Sequence, residues 1–164
     1  MEIPIRDFGV LFICTHNSAR SQMAEGYLRA RYGKWFEAMS AGTEVRGIHP
    51  LAVAVMAEIG IDISQQRSKL INEFSGTRIG VVVSLCDSAY QVCPFFPGTI
   101  KTIHAGFPDP QSCQGRPDDC VVQFRNVRDA IIRWVDQMFV RNIHPVVSHF
   151  DSRLPVFKFQ ENGS

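Results

Sequence analysis

Neither sign of charge dominates this sequence: 17 lysines and arginines face 16 aspartates and glutamates, a formal charge of +1. Without a basic excess there is no electrostatic footprint for nucleic acid or an anionic membrane, and neither is expected as a partner. Long hydrophobic runs are missing too, since no stretch approaches the roughly 18 uninterrupted apolar residues that span a bilayer. The leading residues carry only Arg6 as a positive side chain, and the apolar run Gly9 to Cys14 is too short for a signal core. A cytoplasmic protein without a targeting segment is therefore expected. No internal repeat or low-complexity tract appears. Charged residues are only 20% and hydrophobic ones 45%, a globular rather than a disordered composition. The 164 residues suit one domain, which at this length buries roughly 70% of its unfolded surface and needs no metal or disulfide staple. Cysteine is sparse and odd in number: Cys14, Cys86, Cys93, Cys113 and Cys120. In a reducing compartment such thiols read as reactive, metal-binding or merely buried rather than as a permanent framework.

What is present is an alternation of strand-like and helix-like segments. Phe8 to Ile13 and Gly80 to Leu85 are continuous apolar runs of the kind covered on both faces of a sheet. Phe36 to Ala41 reads as another strand, and Thr99 to His104 as a fourth, more exposed one. Ser18 to Tyr32 is helical, with Met23, Ala24, Tyr27, Leu28 and Tyr32 on one face. Leu51 to Ile59 follows Pro50, which suits a first helical position, and stops at Gly60. Val121 to Val140 has the strongest helical spacing, with Val121, Phe124, Val127, Ile131, Trp134 and Met138 as a core stripe. Strands separated by helices imply an α/β fold: a three-layer, flavodoxin-like open sheet of four mainly parallel strands with helices on both faces. The domain is expected to cover residues 1–141. Residues 142–164, containing His144-Pro145 and Leu154-Pro155, lack clear periodicity and are expected to form a docked or partly disordered tail.

Chemistry concentrates between the first strand and the first helix, in Cys14-Thr15-His16-Asn17-Ser18-Ala19-Arg20-Ser21. A loop of this length can curl so that its N–H groups converge on one point, while the positive end of the following helix faces the same point. Arg20 supplies a planar fork matched to two oxygens of a tetrahedral oxyanion. In that field Cys14 is expected to be a thiolate at neutral pH. Ser21 is placed to donate to the sulfur, and Asn17 to tie the loop to itself. A cysteine and an arginine with five residues between them are a cheap pattern on their own, equally met as a buried thiol at a strand end. Its strand–loop–helix setting is what favours the functional reading.

Two further features bear on that loop. In Phe107-Pro108-Asp109-Pro110 the prolines stiffen the chain around one carboxylate. Beside an anion cradle, Asp109 is a candidate general acid rather than an ordinary turn residue. Cys86 closes an apolar strand, at the edge where open α/β sheets place their sites, and Cys93 follows seven residues later. The spacing is not that of a zinc site, and a mobile segment bearing two thiols permits sequential thiol–disulfide exchange. Two unrelated buried thiols are the plainer alternative.

Together these residues resemble the thioredoxin-coupled arsenate reductases, which share the low-molecular-weight protein tyrosine phosphatase fold. The likeness covers roughly Val10 to Val140. It rests on Cys14-Thr-His-Asn-Ser-Ala-Arg-Ser-Gln-Met-Ala-Glu-Gly26, Ser40-Ala-Gly-Thr43, Gly60-Ile-Asp-Ile-Ser64, Cys86 to Cys93-Pro94, and Asp109-Pro110. The resemblance implies that Cys14 attacks arsenate within a binding loop of Thr15, His16, Asn17, Ser18, Ala19, Arg20 and Ser21. Arg20 would hold the oxyanion and Asp109 would supply a proton. Cys86 would attack the sulfur of the arseno-adduct, releasing arsenite, and Cys93 would capture Cys86 and pass the disulfide to thioredoxin. Arsenic detoxification by a monomer without cofactor or catalytic metal is the implied role. A phosphatase acting on phosphomonoesters through a Cys14 phosphocysteine needs only the first half of this chemistry and is the alternative; a non-catalytic oxyanion or redox sensor is a third, disfavoured by Asp109.

The sequence departs from the family pattern at several points. His16 stands where many relatives have glycine, and Ala19 where others have cysteine. Some relatives bind potassium behind the loop; Asn17, Glu25 and Ser40 match that site, but Arg67 and Lys69 replace a hydroxyl and a carboxylate. Weak or absent potassium dependence is expected, with a basic side chain doing the ion's electrostatic work. Cys113 and Cys120 match nothing in the family and are expected to be exposed loop thiols, the alternatives being an accessory redox step or a zinc site with Cys86 and Cys93. His104 and His144 lie in no motif that demands imidazole and are expected to be structural or solvated.

Overall fold

Six consecutive residues, Gly-Val-Leu-Phe-Ile-Cys, open the described part of the chain as a strand buried along its whole length. The structure is a computed structural model describing residues 9–99 and 101–147. Its elements are β1 (Gly9–Cys14), α1 (Arg20–Tyr32), β2 (Glu37–Gly42), α2 (Pro50–Ala57), β3 (Val81–Ser84), α3 (Asp87–Gln91), β4 (Lys101–His104) and α4 (Pro117–Val147). Single 3-10 turns occupy Ile71–Phe74 and Pro110–Ser112. Every strand and helix expected from the periodicity is present. The addition is α3, whose five residues are too few to show a helical period. β4 alternates half-buried and exposed residues, as an edge strand does.

The four strands are all parallel, in the order β2-β1-β3-β4. The chain moves one way from β1 to β2 and the other way from β3 to β4, so right-handed crossovers put α1 and α3 on opposite faces. The reversal lies between β1 and β3, and ligands of open α/β sheets bind at such a point, beyond the carboxyl ends of the strands. Ile13 pairs with Ser84 there, and the Leu85 N–H donates to the Ile13 carbonyl at 2.8 Å. Cys14 and Cys86 both follow within two residues of this pair, at the same end of the sheet.

Val10 to Ile13 and Val81 to Val83 form the centre of the core, covered by Met23, Ala24 and Leu28 of α1 and by Phe124, Ile131, Val135 and Phe139 of α4. Trp134 and Met138 pack against that core, as expected from their stripe. α4 starts with Pro117 and two acidic residues, Asp118 and Asp119, which suit a helix N-terminus. It is clamped to α1 by Asp136, which accepts hydrogen bonds from Tyr27 at 2.7 Å and Tyr32 at 2.6 Å. Burial and the Asp136 carboxylate push the Tyr27 hydroxyl up to about 12 and that of Tyr32 higher still. Buried Arg128 donates to the Val55 carbonyl at 2.7 Å and to Glu58 at 2.9 Å, joining α4 to α2. The helix continues through Val147, across the 141/142 position where the tail was expected to begin. Residues 148–164 lie outside the described residues. No helix among the described residues is long and apolar enough to cross a membrane.

Cys113 and Cys120 require a correction: they are not loop thiols but a disulfide. The Pro110–Ser112 turn and the bend before Pro117 fold the chain back on itself, bringing the two Cα atoms to 5.6 Å, within disulfide reach. The bond takes both sulfurs out of any zinc site with Cys86 and Cys93.

Candidate active site

Cys14 is the last residue of β1, and the chain beyond it curls before entering α1. The curl depends on Asn17, which holds a left-handed backbone with φ of 47°. Alternating right- and left-handed residues turn successive N–H groups toward one point, the geometry of an anion nest. An L-residue resists that conformation, so the surroundings must hold it. The Asn17 amide nitrogen donates to Ser21 Oγ at 2.8 Å and Ser40 Oγ at 2.9 Å. Its Oδ1 accepts from the Lys69 N–H at 2.8 Å and Gln22 Nε2 at 2.9 Å, and its backbone carbonyl accepts from Gln22 and Ser68. Gly42, at the end of β2, admits the loop from the other side: a Cβ there would lie 2.7 Å from the Thr15 oxygen and 2.8 Å from the Asn17 nitrogen.

The Cys14 sulfur is buried and lies 2.8 Å from Ser21 Oγ. That oxygen also accepts from Asn17, and its own hydrogen is available to donate to the sulfur. Arg20 is buried and donates to the Phe107 carbonyl at 3.0 Å, with its other terminal nitrogen 3.8 Å from Asp109 Oδ2. Asp109 Oδ1 accepts from the Gln111 N–H at 3.0 Å, and the Gln111 amide donates to Ser18 Oγ at 2.6 Å. The stiff acid loop is thus tied to the anion loop at two places. Ser18 and Ala19 are buried, and His16 turns outward to Glu44, 3.3 Å away, so its side chain does not crowd the loop.

Cys86 lies two residues beyond β3 and is buried, 3.3 Å from Thr15 Oγ1 and 3.6 Å from Ser88 Oγ. Burial alone would raise its thiol, but hydrogen bonds from Thr15, Ser88 and the Ala89 N–H, with the Arg20 charge, outweigh it and hold the thiol below its ordinary range. Cys93 is half-buried at the far end of α3, where burial pushes its thiol up. Its sulfur faces the Pro94 carbonyl at 3.6 Å, and α3 stands between it and Cys86, both of them free thiols. The structure therefore brings together Cys14, Arg20, Asp109, Cys86 and the loop 15–21, and leaves Cys93 outside.

Behind the loop, Ser40 donates to Glu25 Oε1 at 3.1 Å, and the Lys69 ammonium lies 3.5 Å from the same oxygen while donating to the Arg67 carbonyl at 2.7 Å. Burial lowers the Lys69 ammonium and Glu25 partly restores it. The Arg67 side chain points away, to Glu73 at 3.0 Å. These residues do not fit a resident potassium ion, because a lysine nitrogen already supplies positive charge at the shared oxygens.

Sequence reasoning missed Gln22, Ser88, Gln111 and His49. Gln111 had one available signal, its place two residues after Asp109 in a rigid loop. His49 caps α2, its Nδ1 accepting from the Leu51 N–H at 3.1 Å, and burial lowers its ring, opposed by the Asp109 carboxylate.

The low molecular weight phosphotyrosine protein phosphatase family matches residues 9–144. An arsenate reductase of Halalkalibacterium halodurans is 43% identical over 122 residues, which cover 74% of this chain and 88% of that protein. Among solved structures, an arsenate reductase in the phosphate binding state superposes with a TM-score of 0.70 at 32% identity, covering 82% of this chain and 98% of the other. A low molecular weight protein tyrosine phosphatase from T. tengcongensis gives a TM-score of 0.66 at 27% identity, covering 82% and 99%. With its Cys14–Ser21 loop at the β1–α1 junction and Asp109 on the loop after β4, this chain belongs to the low molecular weight phosphotyrosine protein phosphatase family, and is similar to the arsenate reductases that share the fold.

Proposed function

We propose that this protein reduces arsenate to arsenite through a relay of three cysteines. Arsenate seats in the nest of 15–21 with two oxygens on Arg20. The Cys14 thiolate attacks arsenic, and one oxygen leaves as water with a proton from Asp109, forming a sulfur–arsenic(V) bond. The Cys86 thiolate then attacks Cys14 Sγ; a sulfur–sulfur bond forms, and the electron pair of the sulfur–arsenic bond stays on arsenic, which leaves as arsenite. Cys93 next attacks Cys86 Sγ, expelling Cys14 as thiolate. The resulting Cys86–Cys93 disulfide is returned to dithiol by thioredoxin, whose own pair is oxidised. The balance is two electrons per arsenate.

One observation carries this reading: a second thiol, held below its ordinary range, is hydrogen-bonded to the anion loop through Thr15. Phosphomonoester hydrolysis has no use for it. The test is Cys86→Ser. Multiple-turnover arsenate reduction with thioredoxin and its reductase is expected to vanish, while turnover of an aryl phosphate, if the wild type has any, persists. In the wild type, mass spectrometry after a single arsenate turnover is expected to find Cys14–Cys86 and then Cys86–Cys93. Unimpaired arsenate turnover by the variant would overturn the relay and leave the phosphatase reading.

A further inference from the structure

We propose that His104 is a latch on the relay helix α3: it holds the helix in the form that positions Cys86, and must release it before Cys93 can reach Cys86. The inference rests on the relay reading and adds a positioning residue to it.

His104 ends β4, and sheet register sets it beside Ser84 at the end of β3. Its Nδ1 is 2.8 Å from the fully buried Ser84 Oγ. Its Nε2 is 2.8 Å from Asp87 Oδ1, on the first residue of α3. Its ring lies 4.7 Å from that of Tyr90, tilted by 32°, in the same helix. A carboxylate only accepts, so Nε2 carries a hydrogen toward Asp87. One imidazole thus joins the rigid sheet edge to two residues of a five-residue helix. A helix that short has little stability of its own and depends on such contacts. The Asp87 side chain is otherwise 88% exposed, so its contact is one that solvent can replace.

The latch acts in opposite directions on successive steps. Two of the groups that stabilise the Cys86 thiolate, Ser88 Oγ and the Ala89 N–H, belong to α3, so the folded helix favours attack by Cys86 on the adduct. Attack by Cys93 on Cys86 requires the same helix to open, because its five residues alone rise about 7.5 Å between the two free thiols, beyond disulfide reach. A defect in general folding would slow both steps; loss of a latch separates them.

The experiment is a rapid-quench single turnover with arsenate, with thiols alkylated and disulfides identified by mass spectrometry. Asp87→Ala is expected to slow formation of Cys14–Cys86 about two- to fivefold and to speed its conversion to Cys86–Cys93 by a similar factor, as fits an exposed contact. His104→Ala, which removes all three contacts, is expected to widen both changes to about tenfold. Asp87→Asn keeps an acceptor for Nε2–H and is expected to stay within about twofold of wild type. In the reduced enzyme without arsenate, the Tyr90 amide, which donates to the Cys86 carbonyl at 3.2 Å, is expected to exchange hydrogen faster in Asp87→Ala and His104→Ala. Both steps changing in the same direction, or unchanged amide exchange in both alanine variants, would overturn the latch. Failure of the wild type to form Cys14–Cys86 would overturn the relay instead, and the exchange comparison would still decide whether His104 holds α3.

Discussion

The anion loop and the relay segment carry the first two thiols at the ends of adjacent strands, yet they are built in opposite ways. In the loop, the amide, carbonyl and backbone of Asn17 are engaged by Ser21, Gln22, Ser40, Ser68 and Lys69, and most of those side chains are buried. The relay segment is a five-residue helix with exposed Asp87, Ser88, Tyr90 and Gln91, held to the sheet edge by one imidazole and to the anion loop by Ser88 Oγ, 2.9 Å from Thr15 Oγ1. The loop must keep its donors aimed at a tetrahedral guest without reorganising during reaction, which is where electrostatic catalysis gets its advantage. The relay must change shape in each cycle, so its ties are few and replaceable by water. Rigidity and looseness are thus allotted by task within one edge of one sheet.

Four measurements test that contrast. The largest effect is expected for Arg20→Lys, which keeps the charge but loses the fork and the tie to Phe107; arsenate kcat/KM should fall by about 10²–10³, measured by arsenite production. Next is Asn17→Ala, which strands the hydrogen-bonding groups around a left-handed residue. Activity is expected to drop roughly 10- to 100-fold and stability by about 1–3 kcal/mol, read from urea unfolding. If Asn17→Ala cost no more than a substitution within α3, the loop would not be the rigid partner.

pH separates the two regions. Only the thiolate attacks, and burial raises the Cys93 thiol while its hydrogen bonds hold Cys86 low. Conversion of Cys14–Cys86 to Cys86–Cys93 is therefore expected to keep rising with pH, about tenfold per unit until Cys93 ionises, after Cys86 attack has levelled off at lower pH. Coincident profiles would remove this distinction. The smallest effect concerns the cation behind the loop. Exchanging sodium for potassium chloride at equal ionic strength is expected to change kcat/KM less than about twofold, because screening is the same and Lys69 already faces Glu25. A strong rise with potassium alone would mean that the lysine does not do the ion's work.

Local patterns were readable; contacts between distant segments were not. β1, the loop and α1 follow from an apolar run, a Cys-to-Arg stretch and a helical period, and the sheet edge bearing Cys86 follows from the same logic. Gln22 could not be assigned, and Gln111 only by its place beside Asp109, because their amides serve the Arg67 carbonyl and the Ser18 hydroxyl, which they meet only in the folded chain. His104 reads as an isolated imidazole in the sequence for the same reason: Ser84 and Asp87 become its neighbours only through the β3–β4 register. The Cys113–Cys120 bond is not legible in the sequence, because its spacing repeats that of the relay pair and only the folding of the chain between them makes the difference.

That bond alters what a colorimetric sulfhydryl assay reports. Of five cysteines, three are free, so a reagent applied to the unfolded protein without reductant should register three equivalents before arsenate is added. A single cycle consumes two of these and leaves one. A strong chemical reductant used to prepare the enzyme also opens the Cys113–Cys120 link, so a sample so treated begins from a different count, with the segment after Asp109 untethered.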